Sequence, residues 1–104
     1  MCEHRQYLEL GKSGIISCSF QEGFFGVFWF NTTNYRSEEP ILHFTQSSKT
    51  GVGYTSGEYD VLENGSLVII NVTFQHETSF TVAYFQSQRD AALYYDVKVV
   101  VLGR

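Results

Sequence analysis

Side chains alternate along this chain with a period of two, and no stretch carries a sustained 3.6-residue apolar period. In residues 15–20, Ile16, Cys18 and Phe20 fall on one side and Ser17 and Ser19 on the other. In residues 27–31, Val27 and Trp29 alternate with Phe28 and Phe30. A chain patterned this way buries its apolar side by stacking sheets rather than packing helices. Strands are expected at residues 6–10, 15–20, 27–31, 41–45, 58–62, 66–72, 80–86 and 92–102. Residues 46–56, rich in Gly, Ser and Thr, read as a flexible connection with room for a short edge strand. Turns fall at residues 11–14, at 87–91 and at Glu63-Asn64-Gly65, where Asn-Gly reaches positive φ at little cost. The even spacing and the lack of any helical stretch favour an all-β, two-sheet sandwich over a barrel.

The 104 residues suffice for one domain, taken as 1–104. A hydrophobic fraction of 43%, with 16% aromatic, fills a sandwich core and excludes a disordered chain. The net charge is -4 and the seven Lys and Arg are scattered, so no basic stripe is available for nucleic acid or an anionic membrane. No apolar run is long enough to span a bilayer, and no signal peptide is present. Met1 directly before Cys2 reads as an added start residue, so the native location has to be read from other features.

Two features speak to it. Asn31-Thr32-Thr33, Asn64-Gly65-Ser66 and Asn71-Val72-Thr73 are N-glycosylation sequons, and three in one small domain favour a secretory, extracellular route. The alternative is coincidence in a Ser- and Thr-rich β chain. The even cysteine count fits one disulfide formed in an oxidising compartment, the alternative being two free buried thiols.

Little in the chain points to catalysis. His4, His43 and His76 lack metal-ligand spacing. Glu38-Glu39 reads as a solvated turn pair. Gly51-x-Gly53 lacks the strand–helix setting of a phosphate loop, and no serine sits in a nucleophile elbow. A binding module with no metal or cofactor is expected, not an enzyme.

Three motifs stand in order: Gly11-x-Ser13-x-Ile15-x-x-Cys18; Trp29, eleven residues after Cys18; and Gly65-Ser66-Leu67-x-Ile69-x-x-Val72. Together they resemble the V-set of the immunoglobulin superfamily over nearly the whole chain. The long stretch between Trp29 and Asp60 favours V over C type. The resemblance implies a core of Trp29, Leu67, Ile69, Phe80 and Val82.

It also breaks in one place. The family's Asp-x-Gly-x-Tyr-x-Cys reads here His76-x-Thr78-x-Phe80-x-Val82. Phe80 keeps the ring of the corner tyrosine without its hydroxyl, and Val82 stands at the second cysteine. His76 offers no carboxylate, and residues 58–62 offer no arginine, so the inter-sheet disulfide and the buried ion pair are both expected to be absent. In V domains the first strand runs antiparallel beside the strand holding Cys18, which implies a Cys2–Cys18 disulfide instead. The alternative leaves Cys18 a buried thiol and Cys2 frayed or interchain. V domains lacking the inter-sheet bond occur among leukocyte adhesion receptors and among invertebrate allorecognition receptors. The combined loss of aspartate, glycine and tyrosine tilts the resemblance towards the second group.

In that family's lettering, residues 27–31 are strand C, 41–45 C′, 80–86 F and 92–102 G. With Trp29 and Val82 inward, Phe28, Phe30, Thr81, Ala83 and Phe85 are expected outward on one sheet, joined by Phe44 from C′ and by Tyr95 or its neighbour Tyr94 from G. An exposed aromatic patch of this kind marks a partner site. A register error would instead make these rings core. The expected function is cell-surface recognition or adhesion through the C–C′–F–G face. The partner would be another immunoglobulin-like protein, with self-pairing preferred, because a nearly uncharged sheet meets its own copy about a two-fold axis without repulsion. Membrane anchoring would lie outside this segment. The alternatives are a soluble immune-type domain gripping a ligand with loops 21–26, 46–56 and 87–91, and a structural spacer. Asn64 and Asn71 fall on the opposite sheet, and Asn31 nearer the patch.

Overall fold

Trp29 is where alternation puts it, fully buried with Val82 directly across from it. Its indole Nε1 donates to the Gly65 carbonyl at 2.9 Å, which ties the centre of one sheet to a turn of the other. The computed structural model describes residues 1–46 and 48–103. In chain order the strands are β1 (Arg5–Glu9), β2 (Gly14–Ile16), β3 (Gly26–Phe30), β4 (Leu42–Thr45), β5 (Ser48–Thr50), β6 (Tyr59–Val61), β7 (Leu67–Ile69), β8 (Ser79–Phe85) and β9 (Leu93–Leu102). They form a six-stranded sheet ordered β1-β9-β8-β3-β4-β5 and a three-stranded sheet ordered β2-β7-β6. The two-sheet sandwich expected from the alternation is therefore the fold observed, with β3, β4, β8 and β9 as C, C′, F and G.

The core lies between the sheets. Val27, Trp29, Leu42, Phe80, Val82, Val97 and Val99 come from the larger sheet; Ile16, Leu67 and Ile69 come from the smaller one, with Val72 from the segment after β7, and all are completely buried. Leu67, Ile69 and Phe80 thus occupy the core positions that the sequence motifs suggested.

The N-terminal strand corrects one expectation. It does not run antiparallel beside strand B along its length. An isolated antiparallel bridge joins Cys2 to Cys18, where a disulfide also links the two residues. Beyond it the chain crosses to the other sheet, and β1 pairs in parallel with β9, from Arg5 opposite Lys98 to Glu9 opposite Leu102. Two side chains account for the switch. Leu8 turns into the core beside Val101. The Gln6 amide stands in for a backbone peptide: its Nε2 donates to the Ser17 carbonyl and its Oε1 accepts from the Ser17 N–H, both at 2.8 Å. The switch also covers the edge of the long strand β9, which would otherwise present unpaired backbone groups. The disulfide pins the N-terminus to the smaller sheet and does not clamp the two sheets together.

Two short helical turns also depart from the all-strand reading: an α-turn, α1 (Val52–Thr55), and a 3₁₀ turn (Phe74–His76). Neither is long enough to leave a 3.6-residue period. The first is set by Gly53, whose N–H donates to the Ile41 carbonyl at 2.8 Å. A Cβ there would sit 2.7 Å from the Tyr59 ring, so only glycine allows the approach.

His76, at the place of the family's aspartate, makes a hydrogen bond across the end of the sandwich: its Nε2 lies 2.9 Å from Oε2 of Glu58, just before β6, with the His76 ring buried and Glu58 half-exposed. The Thr73 N–H donates to His76 Nδ1 at 2.9 Å, so the ring proton resides on Nε2 and points at the carboxylate. Nothing local in the sequence marks Glu58 as the partner of His76.

Candidate recognition face

Register decides which side chains share the outward face of the six-stranded sheet. Phe28 is paired with His43 on β4 and with Ala83 on β8, and Ala83 with Tyr94 on β9. These four make one outward row, with Phe85 beside it. A second row runs Phe30, Thr81, Asp96. Phe28 is the hub of the first: its ring stacks on His43 at 4.5 Å between centroids and meets Phe85 at 5.2 Å. No carboxylate, ammonium or guanidinium belongs to this row.

The second row is closed at Phe30 and Thr81 and open at Asp96. Tyr35, from the polar segment between β3 and β4, lies 5.9 Å from the Phe30 ring and stacks on Tyr94 at 4.3 Å. Phe30 is only 6% exposed, and Ala83, in the first row, 2%. Thr81 is fully buried, and its hydroxyl donates to Asp96 Oδ1 at 2.7 Å. Arg36 holds its guanidinium 5.7 Å from the Tyr35 ring.

Of the seven residues expected to present a partner surface, the structure keeps two as accessible outward rings. Phe28 and Phe85 are half-buried and outward. Phe30, Thr81 and Ala83 point outward but are buried, Phe30 with Tyr35 against its ring. Phe44 and Tyr95 point inward. Phe44 lies opposite Val27 and meets Phe24 edge-on at 6.3 Å; Tyr95 lies opposite Val82 and packs near Phe20 at 6.3 Å. Phe44 follows the parity of Leu42, and Tyr95 that of Val97, so in adjacent Tyr94 and Tyr95 the outward ring is Tyr94, 47% exposed. His43 was not singled out among residues 41–44, and Tyr35 was missed. Parity from Leu42 identifies His43 as outward; nothing local marks Tyr35, which lies in a polar turn.

The loop end of the sandwich is built differently. Phe20 stacks on Tyr84 at 4.7 Å, and Phe24 packs against both Phe44 and Tyr84, so the aromatics of the loop after β2 plug the core. Gln86 Nε2 donates to Gln21 Oε1 at 2.6 Å, linking the loops that flank β3 and β8. A shallow hollow of about 260 Å³ remains, lined by Phe24, Phe25, Phe44 and Glu63 among others. Among the described residues no group of three or more His, Cys, Asp or Glu is placed to hold a metal ion.

Two titratable groups sit between the sheets' edges. Burial pushes the Tyr59 phenol above its ordinary range, and the Glu58 carboxylate beside it adds to the effect. Partial burial works against the charge of Asp60, but the Val61 N–H and the Lys49 ammonium, at 2.7 and 3.0 Å, outweigh it and hold that carboxyl below its usual value.

No family model matches the sequence, and no curated protein does. Solved structures do. The crystal structure of murine CEACAM1b superposes with a TM-score of 0.77 at 18% identity, covering 92% of this chain and 49% of that one. Human T-cell immunoglobulin and mucin domain protein 1 matches with a TM-score of 0.76 at 14% identity, covering 96% and 98% of the two chains. A structure of human TIM members matches with a TM-score of 0.76 at 14% identity, covering 96% of this chain and 100% of that one. At these identities the likeness is one of fold: the chain has an immunoglobulin V-set-like fold, and it spans about half the length of the CEACAM1b chain.

Proposed function

We propose that this chain is an extracellular recognition domain of a cell-surface receptor, without a catalytic centre. It binds another immunoglobulin-like protein, by preference a second copy of itself, through the outward row His43, Phe28, Phe85 and Tyr94. Anchoring in the membrane belongs to sequence outside this segment. The observation that carries the reading is the Phe28 hub, a half-exposed ring with two ring contacts in an uncharged outward row. Half-exposed aromatics supply large contact area at little cost in side-chain entropy, and they recur as anchors of protein interfaces. An uncharged row can face its own copy about a two-fold axis without like-charge repulsion. The disulfide and the sequons fit an oxidising, secretory location. The end-loop reading is weaker, because Phe24 is spent on the core and the hollow beside it is shallow.

Sedimentation equilibrium over a range of protein concentrations tests the proposal. Reversible dimerisation is expected, and Phe85→Asp should abolish it while leaving the thermal midpoint nearly unchanged. A wild-type protein that stays monomeric at high concentration removes the self-pairing version. A Phe85→Asp protein that still dimerises removes the face.

A further inference from the structure

We propose that Asn31, Asn64 and Asn71 all carry N-linked glycans, and that all three stand off the outward face of β4-β3-β8-β9, so that the sugar coat covers the smaller sheet and leaves the larger one bare. The inference deepens the recognition reading above and rests on it for its meaning, though not for its test.

Each of the three asparagines is exposed. Asn64 lies in the turn joining β6 to β7, both in the smaller sheet. Its Oδ1 accepts from the Ser66 N–H at 3.0 Å, which leaves Nδ2 free for a sugar. Asn71 lies just past the other end of β7. The backbone holds it there, with the Ile70 N–H on the Glu58 carbonyl and the Val72 N–H on the Lys12 carbonyl. Asn31 is the informative one. By sequence it is nearest the aromatic patch, but alternation past Phe30 turns it away from the outward row.

A second observation points the same way. The outside of the smaller sheet exposes Ile15 by 42% and Ile70 by 46%, with Val68 paired to Ile15 between them. Asn64 and Asn71 bracket that apolar stripe from the two ends of β7. Bulky hydrophilic glycans at both ends would keep other proteins off a surface that otherwise invites association. In the transfer itself, Asn Nδ2 bonds to the anomeric carbon of a lipid-diphosphate-linked oligosaccharide. The bond from that carbon to the diphosphate oxygen breaks, the diphosphate leaves with the electron pair, and the amide loses one proton. At Asn64 this precedes folding, because the Ser66 hydroxyl of its sequon ends up buried and bonded to the Cys18 backbone.

The domain, secreted from eukaryotic cells, is treated with peptide N-glycosidase in heavy-oxygen water and mapped by mass spectrometry. Label is expected at all three positions; an unlabelled one overturns the proposal there. Hydroxyl-radical footprinting before and after enzymatic removal of the sugars then locates the coat without any partner. Oxidation of Ile15, Val68 and Ile70 should rise on deglycosylation, while that of Phe28, Phe85 and Tyr94 stays constant. A rise at Phe28, Phe85 and Tyr94 overturns the placement. His43→Asn turns His43-Phe44-Thr45 into a sequon within the outward row and tests the recognition reading separately. Sedimentation should show self-association lost in glycosylated H43N and weakened far less in H43N/T45A, which loses the His43 ring but carries no sequon, so that the difference between the two variants reads the sugar alone. Self-association that survives a glycan at that position overturns the reading, and the footprint still decides where the native glycans lie.

Discussion

Strands β3 and β8 serve two surfaces, and the two are apolar for different reasons. On the inner side Trp29 and Val82 meet a second sheet, and the space is closed by Ile16, Leu67 and Ile69. On the outer side Phe28, Phe30 and Ala83 meet no sheet at all. What burial exists there comes from neighbours on the same face and from one ring, Tyr35, carried in by a turn segment. Burial percentages alone would call Val82 and Ala83 equivalent. The difference is that the inner side has backbone layers behind it, while the outer cover hangs on two aromatic contacts of Tyr35.

The largest expected effect tests whether the covered part of the outer face behaves as core. Phe30→Asp would place a carboxylate under Tyr35 with no cation bonded to it, and such burial costs several kcal/mol. The domain should lose most of its stability, read as collapse of the cooperative urea transition. An unchanged transition would show that the Tyr35 cover opens freely.

Val82→Ala probes the inner side. The cavity cannot be filled from either sheet, and the loss should be about 1–3 kcal/mol in denaturant unfolding. A change within error would mean that the interior relaxes as easily as the face.

Tyr35→Ala removes the cover itself. The expected cost is near 1 kcal/mol, the scale of an aromatic pair. It should also raise binding of an apolar dye, because Phe30 becomes accessible. If stability falls as far as for Val82→Ala, the outer cover is as integral as the core.

The smallest effect concerns the sheet edges, where Lys49 of β5 meets Asp60 of β6. The Asp60 carboxyl is depressed in the folded state, so its contribution is present above the unfolded value and is lost as pH falls through the lower folded value. Asp60→Asn should therefore make the urea midpoint slightly less sensitive to acid below about pH 4. The pair is partly solvated, which keeps the effect small. An equal acid sensitivity in the variant would show that solvent screens the pair completely.

Much of this was legible along the chain. The motif around Cys18, Trp29 and Leu67 marked the sandwich, and strand parity put Trp29, Val82, Leu67 and Ile69 inside. The same parity put Phe28, Phe30 and Phe85 outside. It was misapplied to the tyrosine pair, where parity with Val97 and the pairing of Tyr95 with Val82 both select Tyr94 as the outward ring. It was misapplied again to Phe44, whose neighbour Leu42 shows the inward side of β4.

What the sequence alone determined is the direction in which each side chain points, because a strand's period is local and backbone sterics impose it residue by residue. Only the tertiary structure decided what each side chain meets. Tyr35 reaches Tyr94 from a turn distant in sequence, Glu58 meets His76 from just before β6, and the chain leaves one sheet for the other after Cys2. Those contacts are set by loop paths and shared space rather than by any local preference. The pattern could therefore say that Phe30 faces away from the core, but not that another ring would be lying on top of it.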